Sequence, residues 1–177
     1  EITIPSSVKV VHYDSFTNCH IEKAIIGEGT KMLPNFLFKN CTKLKEIIFP
    51  ESLEKMDTAV FEGCTSLESI IFPDTVNIDN AYSLLRDCVN LKYVKLPSTM
   101  KQIPQYMFSG CISLETIEIP EGVVEIETHF IQNCNNIKTI IIPNTVTALE
   151  YDAFIESGVE KIVFLGILSY FSLNCSS

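Results

Sequence analysis

The sequence lacks the features that mark several common protein classes. No apolar run approaches the roughly 18 residues that a membrane-spanning helix needs, so we expect no membrane insertion. Only 13 Lys and Arg stand against 22 Asp and Glu. The resulting net charge of −9 argues against nucleic acid and anionic membrane surfaces as partners, since both reward clustered basic residues. With only seven glycines, the chain contains no Gly-rich phosphate-binding loop.

The chain also lacks an initiator Met, a basic start and an apolar signal segment, and its first residues, EITIP, look like the middle of a repeat. We therefore expect a piece of a longer protein, with any export signal outside it. The composition itself is globular, with 46% hydrophobic and 20% charged residues over 177 positions. A chain of this length can form one domain that buries roughly 70% of its unfolded surface.

Seven cysteines would suggest a disulfide scaffold, but their spacing indicates a repeat instead. Six of them recur at intervals of 22, 23, 24, 23 and 23 residues: Cys19, Cys41, Cys64, Cys88, Cys111 and Cys134. A second column with the same period is mostly proline and consists of Pro5, Gly27, Pro50, Pro73, Pro97, Pro120, Pro143 and Leu165. A large apolar residue stands three positions before each Cys: Phe16, Phe38, Phe61, Leu85, Phe108 and Ile131. In the last coil Ser157 replaces Cys and follows Phe154. A fixed period of this length is the signature of a solenoid.

The working consensus is F-x-x-C-x-x-L-x-x-I-x-I-P-x-x-V-x-x-I, and its clearest copies are FEGCTSLESIIFPDTV and FSGCISLETIEIPEGV. Apolar residues alternate within LESIIF and LETIEI and end at Pro, which predicts a short strand in each coil. One coil cannot bury its own apolar side, so stability must come from stacking. We expect about seven coils over residues 1–164, with residues 165–177 as a cap or a disrupted eighth coil. The column phenylalanines should form a buried aromatic spine.

This pattern resembles the BspA-like leucine-rich repeats, also called the Treponema pallidum type, over residues 2 to about 164. The resemblance implies a right-handed leucine-rich-repeat coil with a ladder of parallel β-strands. It also implies a cell-surface or secreted location and a role similar to that of adhesins and protein-binding modules. The chain departs from the pattern at an extra residue in NIDNAYSLLRD and at the tail LGILSYFSLNCSS.

The cysteines could be buried thiols, disulfide partners or metal ligands. An inward column of small apolar side chains is a role that free Cys fills well. Neighbouring rungs bring Cα atoms within disulfide range, but side chains in a ladder run parallel and would have to distort the stack to bridge. Zinc sites use ligands two to four residues apart, whereas no two Cys here are closer than 22. We expect reduced, buried thiols.

No catalytic constellation is evident. His12, His20 and His129 are scattered, and only His20 adjoins a Cys. A Cys–His pair also needs a third group to orient the base, and Cys19 is committed to the interior. The carboxylates form no D-x-D-x-D-G calcium loop. We therefore predict a protein that is not an enzyme and holds no metal or cofactor.

The outward residues of the strands are the candidates for function, because side chains alternate across a strand and every second residue faces solvent. That column reads Thr3, Ile25, Ile48, Ile71, Lys95, Glu118, Ile141 and Val163. Five of these eight are β-branched aliphatics where polar residues are expected, and Ile25, Ile48 and Ile71 are consecutive. Neighbouring columns add alternating charges, from Glu22, Lys45 and Glu68 onward, and one exposed Tyr93. The candidate surface is therefore Ile25, Ile48, Ile71, Tyr93, Lys95, Glu118 and Ile141.

Three interpretations of this column remain open. It can bind a protein partner, such as a host extracellular or cell-surface protein, as an adhesin-like module does. It can mediate self-association. It can also reflect only the strand propensity of Ile and Val, in which case the repeats serve as a structural spacer in a larger surface protein.

Overall fold

The computed structural model describes residues 1–8 and 10–166, none of which lies in a helix. Each coil contributes up to two short strands, which lie on different faces. In chain order the strands are β1 (Ile2–Ile4), β2 (Lys23–Ile26), β3 (Met32–Leu33), β4 (Glu46–Ile48), β5 (Lys55–Met56), β6 (Ser69–Ile71), β7 (Tyr93–Lys95), β8 (Gln102–Ile103), β9 (Glu125–Ile126), β10 (Thr139–Ile142), β11 (Ala148–Leu149) and β12 (Lys161–Phe164). All pairings are parallel and join one coil to the next. The parallel-stranded solenoid of about seven coils that the repeat predicts is confirmed.

One side of the solenoid, called here the strand face, carries the strands predicted from the consensus. Its ladder has three sections: β1–β2–β4, β6–β7 and β10–β12. The sequence also predicts a strand in LETIEI, but residues 114–120 have no assigned strand and no ladder partner. One of the two clearest copies of the consensus is therefore the coil whose predicted strand is unpaired.

A second face consists of two-residue strands that the sequence analysis did not predict. They form the ladders β3–β5 and β8–β9–β11, and a single bridge from Lys55 to Asn77 extends the first. In each of these five strands the second residue is buried and the first is not. The V-x-x-I part of the consensus thus closes the core on this side.

The third face, called here the turn face, is built from turns in which two residues per coil, four positions apart, take the left-handed conformation. In the second coil these are Phe36 (φ 60°) and Asn40 (φ 56°). Such a conformation costs a non-glycine residue roughly 1–2 kcal/mol. It is offset by hydrogen bonds to the next coil, where Phe36 N–H donates to Thr58 O (3.0 Å) and Asn40 N–H to Glu62 O (2.7 Å). This face is continuous along the stack.

The core between the three faces contains the predicted columns of Phe, Cys, Leu and Ile. The aromatic spine, however, is two groups rather than one, the first stacked and the second in edge-to-face contact. Phe38 stacks on Phe16 (5.6 Å) and on Phe61 (5.9 Å). After Leu85, Phe130 bridges Phe108 (5.7 Å) and Phe154 (6.4 Å), although it lies one position before the column. Phe16 is only half-buried, in the first coil.

The predicted division at residue 164 is only partly within the described structure. Leu165 N–H donates to Ile142 O (3.0 Å), so the ladder extends at least to this residue. The rest of the predicted cap, residues 167–177, lies outside the described residues.

Candidate functional site

The strand face places the predicted outward column toward solvent. Ile48 is 41% exposed, Ile71 58% and Ile141 52%, and Tyr93 beside them is 53% exposed. Lys95 and Glu118 are exposed as well, whereas Ile25 is half-buried. The inward neighbour Ile70 is only 4% exposed, as alternation along a strand requires.

The register shows which members of this column are neighbours. Ile25 is paired with Ile48 between β2 and β4, and Ile71 is paired with Lys95 between β6 and β7. Strands β4 and β6 contact each other but are not paired. Beside this interruption Ile47, on the inward side of β4, is half-buried rather than buried as the pattern predicts for an inward residue. The apolar stripe of Ile25, Ile48 and Ile71 therefore crosses a break in the ladder.

Charged residues along the edge of the stripe pair from rung to rung. The predicted alternation of sign becomes ion pairs between Lys45 and Glu22 (3.2 Å) and between Lys92 and Glu68 (3.0 Å). These side chains are between 61% and 68% exposed, so each pair contributes little to stability. Their effect is to leave no net charge along this part of the stripe.

The cysteine column has a geometry that disfavours nucleophilic attack and metal binding by its thiols. The five thiols from Cys41 to Cys134 are fully buried, and each donates to a carbonyl of the preceding coil. Cys88 Sγ, for example, lies 3.2 Å from Phe61 O. Burial raises the pKa of Cys41 to about 11 and that of Cys134 to about 12, and it raises the pKa of Cys88 well above its ordinary value. A thiol held in the protonated form is a poor nucleophile and a poor metal ligand.

The remaining candidates for catalysis or metal binding, Cys19 and the histidines, do not form a common site. The six described column cysteines are all free, and Cys19 is half-buried while its neighbour His20 is exposed. His129 stacks on Tyr106 at 4.6 Å, far along the chain from either. Within residues 1–8 and 10–166, no group of three or more His, Cys, Asp or Glu side chains could hold a metal ion. No helix of this described part is long and apolar enough to cross a bilayer.

One feature of the face was missed by sequence reasoning. An open groove of about 470 Å³ lies between the fifth and sixth coils, beside the unpaired segment. Its lining includes Glu118 and Ile141 from the predicted column, together with Thr116, Glu121 and Pro143, which were not predicted. The consensus residues of this coil are all present, and its one sequence signal is Glu118 at the outward position where several other coils have Ile.

Known proteins share both this repeat and this architecture. The sequence profile of the BspA type leucine rich repeat region matches residues 1–84 and 81–176, with six copies. We find no significant similarity to any curated protein sequence. Among solved structures, a leucine-rich repeat protein from Bacteroides ovatus is similar at 29% identity and a TM-score of 0.82. The match covers 89% of this chain and 41% of that protein, so the chain spans about two fifths of its length.

Two further solved structures share the fold. The Treponema pallidum leucine-rich repeat protein is 21% identical with a TM-score of 0.73, and the match covers 88% of this chain and 69% of that one. A leucine rich cell surface protein from Faecalibacterium prausnitzii is 16% identical with a TM-score of 0.52, covering 93% and 79% respectively. The repeat, the parallel solenoid and the profile match agree, and the chain belongs to the BspA-type leucine-rich repeat family.

Proposed function

We propose that the strand face is a protein-binding surface and that the chain serves as a non-enzymatic, adhesin-like module at a cell surface. The observation that carries this proposal is the exposure of Ile48 and Ile71, at 41% and 58%, with Tyr93 beside them. Exposed aliphatic and aromatic side chains bordered by paired charges are typical of a protein interface. The partner is a protein, because the net charge of −9 disfavours nucleic acid.

The cell-surface location is supported by resemblance. The Faecalibacterium prausnitzii structure of the same fold is described as a cell surface protein. A partner that such a module would meet is an extracellular or cell-surface protein of a host. The non-enzymatic role is supported by the cysteine column, whose buried thiols are held protonated, and by the scattered histidines.

A structural spacer is the second candidate function. The continuous turn face and the second face would stiffen such a spacer without any contribution from outward isoleucines. In that case the exposed Ile and Val serve only as good strand formers. A third use of the same surface is self-association of two copies of this chain.

The proposal is tested with Ile48→Thr combined with Ile71→Thr. Threonine keeps the branched shape and strand propensity but removes apolar surface, so unfolding by urea should change only slightly. We expect the double variant to lose at least tenfold in affinity for the matrix proteins that the unmodified chain captures from a panel of purified extracellular proteins. Sedimentation of both chains measures self-association in parallel.

The matched control is Ile70→Thr combined with Ile140→Thr, at positions only 4% and 1% exposed. Because it buries two hydroxyls in the core, this control should unfold at a much lower urea concentration. Unchanged capture by the Ile48/Ile71 variant would contradict the binding proposal and favour the spacer. Loss of a dimer in that variant would identify the stripe as a self-association surface instead.

A further inference from the structure

Asn40 on the turn face begins the tripeptide Asn40-Cys41-Thr42, which has the Asn-X-Ser/Thr pattern of an acceptor for an N-linked glycan. The pattern requires a hydroxyl two residues after the Asn and accepts any middle residue except Pro. Asn40 and Thr42 are both exposed, whereas the Cys41 between them is fully buried. The two residues that define the pattern therefore lie together at the surface.

The side-chain amide of Asn40 is free, whereas those of other asparagines are hydrogen-bonded. Asn90 Nδ2 donates to Thr65 O (2.7 Å) and Asn136 Nδ2 donates to Ile112 O (2.8 Å), so both amides join one coil to another. Across residues 1–8 and 10–166, no side-chain hydrogen bond includes the Asn40 amide. A glycan on Asn40 Nδ2 thus displaces no hydrogen bond that holds the coils together.

The neighbouring coils leave room around Asn40. Gly63 occupies the equivalent position of the next coil, and a Cβ on Gly63 would collide with Asn40 Oδ1. The preceding coil has Asn18 at this position, and it is exposed as well. Lys39, beside Asn40, pairs with Glu62 (3.1 Å). The Asn40 amide therefore stays open to solvent.

The same turn in two other coils provides a comparison. Asn18 and Asn133 are exposed, and like Asn40 they have a left-handed backbone conformation and precede a column Cys. Their tripeptides end in His20 and Asn135, which have no hydroxyl. The three asparagines thus share one position on the turn, and only the second coil adds the hydroxyl that makes its Asn an acceptor.

We propose that Asn40 carries an N-linked glycan in the native protein. In the transfer, Asn40 Nδ2 attacks the anomeric carbon of an oligosaccharide carried on a lipid diphosphate. The new N–C bond replaces the C–O bond to the diphosphate, which leaves with the electron pair, and a base of the transferase takes one proton from Nδ2. Transfer precedes closure of the coil, since Cys41 is buried afterwards. The inference rests on the cell-surface location proposed above, because such glycans are added to exported chains.

The position of Asn40 keeps the glycan away from the proposed binding surface. Asn40 lies on the turn face, whereas Ile48 and Ile71 lie on the strand face. A glycan is bulky and strongly hydrated. It therefore shields one side of the solenoid and leaves the other side open to a protein partner.

The inference is tested on the whole protein isolated from the surface of the cells that make it. Asn174→Gln removes the other match to the pattern, at residues 174–176, which lie outside the described residues. Digestion with a peptide N-glycosidase in water labelled with heavy oxygen converts a glycosylated Asn into a labelled Asp, which mass spectrometry locates. We expect the label at Asn40 and at neither Asn18 nor Asn133.

Three substitutions test the cause of the modification. Thr42→Ala should abolish the label at Asn40, whereas Thr42→Ser, which keeps a hydroxyl, should retain it. Asn135→Thr should add a label at Asn133, because it supplies the missing hydroxyl at an equivalent exposed position. An unlabelled Asn40 in the surface protein, or an equal label in the Thr42→Ala variant, overturns the inference.

Failure of this inference is distinguishable from failure of the proposed function. Enzymatic removal of the glycan should leave the capture of matrix proteins unchanged, since the strand face does not carry it. An unlabelled surface protein that still captures its partners overturns the glycan alone. A labelled protein whose capture survives the Ile48/Ile71 double substitution supports the glycan and overturns the binding role of the strand face.

Discussion

At the scale of single residues, the cysteine column shows why a thiol recurs at this position of the coil. The carbonyl three residues before each Cys accepts the N–H of that Cys, as Phe61 O does from Cys64 (3.1 Å). The same carbonyl also accepts the thiol of the following coil, Cys88 (3.2 Å). A buried side chain at this site must therefore be small, mostly apolar and able to donate a weak hydrogen bond. Ser157, in the last coil, uses its hydroxyl differently and donates to Phe154 of its own coil (2.6 Å).

This geometry predicts very unequal thiol reactivity. In a Cys175→Ser variant, which leaves the six column thiols, we expect the half-buried Cys19 to react first with a thiol-specific reagent. The five buried thiols should react only as the chain unfolds, because burial raises their pKa and excludes the reagent. Mass spectrometry of labelled peptides at pH 8, with and without urea, measures this. Rapid labelling of Cys88 or Cys111 in the folded chain would contradict it.

At the scale of elements, two coils with the same consensus differ in what their strands do. The segment LESIIF forms β6 and pairs with β7, whereas LETIEI pairs with neither neighbour. The residues that differ are Thr116 in place of Ser69, Glu118 in place of Ile71 and Ile119 in place of Phe72. Glutamate is depleted in strands relative to isoleucine, so the unpaired coil has the weaker local preference for pairing. A solenoid tolerates one such coil because its other two faces continue past it.

The aromatic stacks give a prediction at this same scale. Phe61→Ala removes a fully buried ring that contacts Phe38 and Phe49, so it should cost about 3–5 kcal/mol of the free energy of unfolding. Phe16→Ala, at the half-buried start of the stack, should cost clearly less, since its ring has a neighbour on one side. Urea unfolding of the two variants compares them. Equal losses would show that the ends of the stack are packed as tightly as its middle.

At the scale of the whole molecule, each coil contacts only its neighbours, so stability is a sum over adjacent pairs. The strand face is interrupted between β4 and β6 and again around residues 115–119. The turn face has no such interruption in the middle of the stack, where Phe108 N–H donates to Phe130 O (3.0 Å) and Gly110 N–H to Gln132 O (2.8 Å). Neighbouring sections of the strand face are therefore held together by the hydrogen bonds of the second face and the turn face.

This arrangement predicts that a destabilising substitution in one coil speeds amide hydrogen exchange most in nearby coils and least in distant ones. Ile140→Thr places a hydroxyl in the core of the sixth coil, at a position only 1% exposed. Hydrogen exchange should accelerate most in residues 139–164, less in residues 102–126, and least in β2 and β4. Because neighbours couple only to neighbours, the effect should fade along the stack. Uniform acceleration along the chain would show that the solenoid unfolds as a single unit.

The repeat, the number of coils, the inward columns and the outward side of each strand can all be predicted from the sequence. These features follow from periodicity alone. The 23-residue repeat places equivalent residues of successive coils above one another, and alternation along the strand determines that Ile70 rather than Ile71 faces the core. Three features emerge only from the folded chain: which rungs hydrogen bond, that Phe36 and Asn40 take left-handed conformations, and that Phe130 rather than Ile131 makes the aromatic contacts. The physical reason is that these features depend on the distance and register between coils. Residues some 23 positions apart set that distance, and the local pattern of one coil does not encode it. The groove beside Glu118 belongs to the second group, because residues of the fifth and sixth coils line it together and it forms only where these coils stack.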